Sequence, residues 1–164
     1  MKIGLIIIGL VLTAISLVLL IGWLLPVKHN ALRSILLDAD ITQVWKKLVS
    51  YEKMPEWRLE LLKVERINEQ VWKETTYEGK SIVFATVEEI RQRRLVRKIV
   101  GQGLMFGGSW TFDLQAKGQQ TELTITENGE VYNPLFRFVA KYIIGHHRSM
   151  DKYLQQLLSS LSVK

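Results

Sequence analysis

Residues 3–25, IGLIIIGLVLTAISLVLLIGWLL, carry no charge over 23 consecutive positions, and this run constrains the chain more than any other feature. As a helix rising about 1.5 Å per residue it reaches roughly 34 Å, slightly more than the roughly 30 Å hydrocarbon core of a bilayer. Charge stops at Lys2 and resumes at Lys28, Trp23 stands where an indole favours the headgroup boundary, and Pro26 closes the helix. The competing reading is a cleaved secretory signal. Such a signal has an apolar region of about 7 to 15 residues before a small-x-small site, whereas Gly22-Trp23-Leu24-Leu25-Pro26 is bulky at that point. The expectation is an uncleaved single-pass anchor over residues 1–28, with its helix at about 3–25. Gly4 and Gly9 are five apart, not the four of a GxxxG dimerisation face. Lys2 and the α-amine before the run balance Lys28 and Arg33 after it, so the side of the membrane stays open, with an extracytoplasmic placement preferred.

The rest, residues 29–164, has room for one hydrophobic core. Three prolines, no Ser/Gly linker and no repeat period give no ground for a second folding unit. With Lys2 set aside, the 22 Lys+Arg and 16 Asp+Glu leave this domain at +5. That excess suits anionic headgroups or polyanions, but ordinary solubility explains it equally well. The chain has no Cys, which excludes a lipoprotein, a disulfide, a thiol nucleophile and a thiolate metal site, while leaving the redox compartment open.

Ala31–Leu37 reads as a strand, followed by Asp40-Ile41-Thr42-Gln43, a capping-box variant with Asp40 as N-cap. Ile41, Val44, Trp45 and Leu48 then recur at helical spacing to about Ser50, and Pro55 within Met54-Pro55-Glu56-Trp57 opens a second short turn. From Leu61 to Tyr132 the period falls to two. Strands are expected at 62–67, 71–77, 81–90, 95–100, 109–114 and 121–126, joined by turns such as Glu78-Gly79-Lys80 and Lys117-Gly118-Gln119. In Trp110-Thr111-Phe112-Asp113-Leu114 the apolar residues share one face, so one side of this antiparallel meander is covered and the other wet. Asn133-Pro134 caps one long final helix, where Leu135, Val139, Tyr142, His146, Met150, Tyr153, Leu157 and Leu161 make a continuous apolar stripe expected to lie on the covered sheet face. Arg137, Lys141, Arg148 and Lys152 fall opposite it within about 60°, a basic stripe read as a solvated face or, in its functional version, a contact with anionic headgroups.

Strand, two short helices, six antiparallel strands and a long helix is the order of the helix-grip fold, an α+β architecture. Ile41-Thr-Gln-Val44-Trp45, Tyr51-Glu-Lys-Met-Pro-Glu-Trp57, Gly108-Ser-Trp110-Thr-Phe112 and the segment from Thr124 to Phe138 resemble the polyketide cyclase/dehydrase-like branch of the START-like (SRPBCC) superfamily. The likeness spans roughly residues 31 to 161. It implies a curved sheet gripping the last helix, with an apolar cavity for lipids, polyketides, isoprenoids or similar ligands. It fixes no reaction, because the superfamily mixes carriers, sensors and enzymes.

The sequence offers little to a catalytic mechanism. His29 lies beside the membrane, and His146 and His147, adjacent on a helix, diverge by about 100° and cannot share one metal ion. Gly101-Gln-Gly103-Leu-Met-Phe106 fails the dinucleotide pattern, so no metal and no cofactor is expected. The glycines around Leu104, Met105 and Phe106 describe a loop folded back on the core or, functionally, a gate over the cavity or a membrane-dipping tip. Strand alternation puts Glu127 on the inward side with Leu123 and Ile125, where it needs a partner such as His146, Tyr142 or an arginine. A bulge at Asn128-Gly129 turning it outward, or a bond tying the sheet to the helix start, is the commoner outcome for such a residue. Trp57, Phe84, Trp110, Phe112, Tyr142 and His146 are the candidate cavity wall, against a default of plain core. The basic segment Arg91-Gln-Arg93-Arg94 with Arg97-Lys98 follows Glu88-Glu89 and reads as cross-strand ion pairing on the wet face, with no nucleic-acid role.

The leading expectation is a membrane-anchored domain that binds a hydrophobic small molecule or lipid without established catalysis. The alternatives are a cyclase-, dehydratase- or hydrolase-like enzyme using Glu127 with His146 or Tyr142, and an interaction domain whose cavity has closed. Protein partners are unspecified. The anchor generates a direct test: the full-length chain should stay in the membrane pellet through an alkaline carbonate wash, and a shortened mature chain in the soluble fraction would contradict it.

Overall fold

The computed structural model describes residues 2–101 and 103–162; Gln102 of the glycine-rich loop and residues 1, 163 and 164 lie outside the described residues. The uncharged run forms α1 (Lys2–Leu24), long and apolar enough to cross a membrane. Strand β1 (Lys28–Leu37) leads to α2 (Ile41–Val49), whose first turn is capped by Asp40 accepting from the amides of Thr42 at 2.8 Å and Gln43 at 3.0 Å. A 3-10 turn (Tyr51–Glu56) follows. Six strands come next: β2 (Leu61–Arg66), β3 (Val71–Thr76), β4 (Ser81–Ile90), β5 (Arg94–Ile99), β6 (Phe106–Lys117) and β7 (Gln120–Val131).

The seven strands form one curved antiparallel sheet in the order β1-β7-β6-β5-β4-β3-β2, so the first strand pairs with the last. Strands β6 and β7 run beyond the alternating segments that announce them, because pairing continues from Lys117↔Gln120 to Phe106↔Val131. Their register sets Trp110 against Glu127, Phe112 against Ile125 and Leu114 against Leu123, which fixes the inner face. Phe112, Leu123 and Ile125 are fully buried there with Trp72, Leu48 and Met54.

The C-terminal segment departs from the expected single helix. It divides into α3 (Pro134–Val139), a π turn (Ala140–Ile144) and α4 (Arg148–Ser162). Gly145, between the π turn and α4, has φ +80°, ψ 143°, a conformation open essentially to glycine alone. Only α4 lies on the sheet: Met150, Tyr153, Leu154 and Leu157 are buried, whereas Leu135 and Tyr142 are exposed. Helix α3 packs on the end of α1 instead. Gly22 meets the Pro134 backbone so closely that no Cβ fits, and Arg137 Nη1 donates to the Leu25 carbonyl at 2.6 Å and the Trp23 carbonyl at 3.3 Å. These carbonyls belong to the helix end that has no partner of its own, so Arg137 acts as its cap. With the helix interrupted, Arg137, Lys141, Arg148 and Lys152 do not form one stripe. Gly145→Ala should lower stability by about 1–3 kcal/mol, read as a reduced Tm of the full-length protein; an unchanged Tm would show that the turn does not depend on glycine.

Candidate functional site

Because the alternating strands direct every second side chain inward and α4 covers only part of that face, a space remains between them. It is a cavity of about 590 Å³, within the roughly 300–1,000 Å³ range of small-molecule sites. Ile82, Phe84, Ile99, Phe106, Trp110 and Phe112 supply its apolar wall. Two polar clusters interrupt that wall.

The first joins β1, β6 and β7 to the turn before α4. Glu127 accepts from Trp110 Nε1 at 2.9 Å and from His29 Nε2 at 3.1 Å, and the His29 ring stacks on His146 at 3.9 Å between centroids. The register explains the meeting: Glu127 faces Ala31 across β1 and Trp110 across β6, and His29 is two residues from Ala31, on the same face. His29 lies directly over Gly129, where a Cβ would collide with its imidazole. Desolvation pulls the His146 imidazole below its ordinary pKa of 6.5; His29, His147 and Lys141 act in the same direction and Glu127 opposes them.

The second cluster is an interior charge network. Arg58 bridges Glu74 at 2.7 Å and Glu60 at 2.9 Å, and Trp72 Nε1 donates to Glu74 at 3.0 Å. Burial works to raise the Glu60 carboxyl, but Arg58 and a hydrogen bond from Gln156 hold it at about 2. Lys152 also reaches Glu60, at 3.3 Å. Arg97 sits 5.3 Å from the ring centroids of both Trp72 and Phe112 and donates to the Leu48 carbonyl. Burial raises the Tyr153 hydroxyl pKa against the pull of Arg97 and Arg58.

Of the residues singled out in the sequence, Phe84, Trp110, Phe112, Glu127 and His146 line this cavity. Glu127 faces inward and ties β7 to β1 and β6, so its inward placement and its structural bond occur together. Two candidates fall elsewhere. Trp57 closes the 3-10 turn and packs edge-on against Tyr153 at 5.2 Å, which itself takes the wall position. Tyr142 is carried onto α3's side of the Gly145 break, where it is exposed and packs on Phe138 at 5.1 Å. In the glycine-rich loop, Phe106 begins β6 and lines the cavity, Met105 is exposed and Leu104 folds toward Gly101. Arg148 and Lys152 stand at the cavity rather than on a separate surface. Arg94 makes the expected wet-face pairs, with Glu88 at 3.4 Å and Asp113 at 3.1 Å, but Arg97 is inside, because it alternates with buried Leu95. His29, set aside for its nearness to the membrane, and the Arg58–Glu74 pair escaped sequence reasoning. Among the described residues no three His, Asp or Glu side chains gather to hold a metal.

A curved antiparallel sheet closed over a C-terminal helix with an internal cavity defines a START-like, helix-grip domain. A family model described as polyketide cyclase/dehydrase and lipid transport matches residues 28–161, and the chain belongs to that family. Among solved structures, a START superfamily protein from Mycobacterium smegmatis is similar at TM-score 0.64 and 16% identity, over 81% of this chain and 97% of the other. A conserved protein from Geobacillus kaustophilus gives TM-score 0.66 at 16% identity, covering 82% and 95%. Truncated norcoclaurine synthase from Thalictrum flavum gives 0.67 at 10% identity, covering 84% and 96%. At these identities the likeness is one of fold. No curated protein sequence matches the chain.

The histidine cluster carries a titration with a definite sign. His146 followed by NMR should titrate below 6.5, and because Glu127 raises its pKa, Glu127→Gln should move it lower still. A shift upward on that substitution would show that the two groups do not interact as placed.

Proposed function

We propose that the protein is a single-pass membrane protein whose domain binds a hydrophobic small molecule or lipid. The observation that carries this reading is the cavity of about 590 Å³ with a largely apolar wall, in a chain of a family described by lipid transport as well as by cyclase and dehydrase activity. The apolar side chains lining this pocket face open space, and an apolar ligand would remove them from water and supply the packing contacts they lack. The anchor reading is supported by α1 and by what surrounds its end. Helix α3 packs there, and Leu135, Phe136, Ile143 and Ile144 extend the exposed apolar surface of Trp23 and Leu24. Ala140, Ile144 and Gly145 border the cavity, which favours loading from the bilayer. Lys141 and Arg148 stand beside this rim, suited to anionic headgroups. Phe106, where the glycine-rich loop enters β6, lines the same cavity, which supports the loop as its gate.

A second reading makes the cavity an active site. Its support is the Glu127 carboxylate held by His29 and Trp110 inside an apolar space, with His146 stacked on His29: groups able to take and return a proton. Turnover of a bound ligand, lost in Glu127→Gln while binding persists, would favour the enzyme over the carrier.

The binding reading is tested with the neutral dye N-phenylnaphthylamine and full-length protein in amphipol, following energy transfer from tryptophan above the amphipol background. Saturable binding is expected, and Ile99→Trp should abolish it with little change in Tm, because the new indole occupies space already empty. No saturable binding, or a loss of stability of about 1–3 kcal/mol as in an overpacked core, would contradict the reading.

A further inference from the structure

One cation of the cavity interior has no carboxylate of its own. Each carboxylate lining the cavity already has donors: Glu74 takes Arg58 and Trp72, Glu60 takes Arg58 and Lys152, Glu127 takes His29 and Trp110, and Glu130 takes the Tyr132 hydroxyl. Arg97 is different. It is 7% exposed, joins no ion pair among the described residues, and has a buried Nε with no acceptor. It donates to the Leu48 carbonyl, and the faces of Trp72 and Phe112 attract the cation without accepting its remaining N–H groups in the plane of the guanidinium. Tyr153, 5% exposed and also on the cavity wall, has its hydroxyl beside the Arg97 guanidinium, and its own O–H finds no acceptor. An uncompensated interior cation beside a free hydroxyl donor is costly in an empty site. It becomes favourable when an anionic oxygen arrives, since hydrogen bonds between charged groups are shorter and stronger than neutral ones.

Resting on the ligand-binding reading, we propose that Arg97 and Tyr153 form an anion seat for the carboxylate of an apolar ligand, whose hydrocarbon part lies along Phe84, Ile99 and Phe112. Arg58 does not share this role, because its two carboxylates already neutralise it. A ligand with a single carboxylate brings Arg97 the partner it lacks, and its two oxygens match an Arg N–H and a Tyr O–H at once. A neutral ligand of the same shape fills the cavity but leaves Arg97 as it was.

The test compares cis-parinaric acid with its methyl ester on full-length protein in amphipol, again by energy transfer from tryptophan. The acid should bind wild type about tenfold or more tighter than the ester, the scale of a charge-assisted hydrogen bond. Arg97→Gln should remove that advantage by weakening the acid and not the ester, and Tyr153→Phe should weaken the acid in part. Equal binding of acid and ester to wild type would overturn the anion seat and leave the cavity as a ligand site. Binding of neither would overturn both. Should Arg97→Gln fail to fold, the wild-type acid-to-ester ratio and Tyr153→Phe still decide.

Discussion

Seven strands present one inner face, and the chain covers it with a helix, α4, of 15 residues. The break at Gly145 sets that limit. Helix α3 packs on the end of α1, the π turn borders the cavity, and from Arg148 the segment lies along the sheet, burying Met150, Tyr153, Leu154 and Leu157. Part of the inner face beside β4, β5, β6 and the end of β7 stays uncovered by α4, and that part is the cavity. The same break frees α3 to close the end of α1, where Arg137 caps two carbonyls. One backbone conformation thus lies between the surface at the end of α1 and the cavity.

The polar groups around the void follow from the period of the strands. Two-residue alternation that sends Leu95, Leu123 and Ile125 inward also sends Arg97 and Glu127 inward, and each must then find a partner. Glu127 finds His29 and Trp110 across its two neighbouring strands. Arg58 and Glu74 find one another, with Trp72 completing the acceptor's contacts. A folded interior with this much charge is held by pairing rather than by burial alone, because removing one member of such a pair leaves the other desolvated.

Much of the architecture is legible in the sequence. The Asp40 and Asn133 caps, the period-two segments and the aromatic alternation around Trp110 are local signals, and local geometry obeys them. What was not legible depends on distant chain segments. His29 and Glu127 are 98 residues apart and meet because β1 pairs with β7, which no spacing in the sequence announces. The division of the last helix was hidden because Gly145 fits inside a helical pattern at modest cost, so its positive φ has no local signal in the sequence. Arg97 was misread for a different reason. Its neighbours Arg91, Arg93 and Arg94 suggested an exposed basic segment, although alternation with Leu95 already placed it inside; composition outweighed register in that reading.

The account therefore rests on an internal space that is occupied when the protein works. Native mass spectrometry of the full-length protein, released gently from its membrane mimetic, measures this directly. The account predicts one apolar small molecule bound per chain, shed on collisional activation and enriched in the extract of the purified protein relative to the surrounding membrane lipid. A bare polypeptide mass under the gentlest release, with an extract that mirrors the bulk membrane, would contradict it.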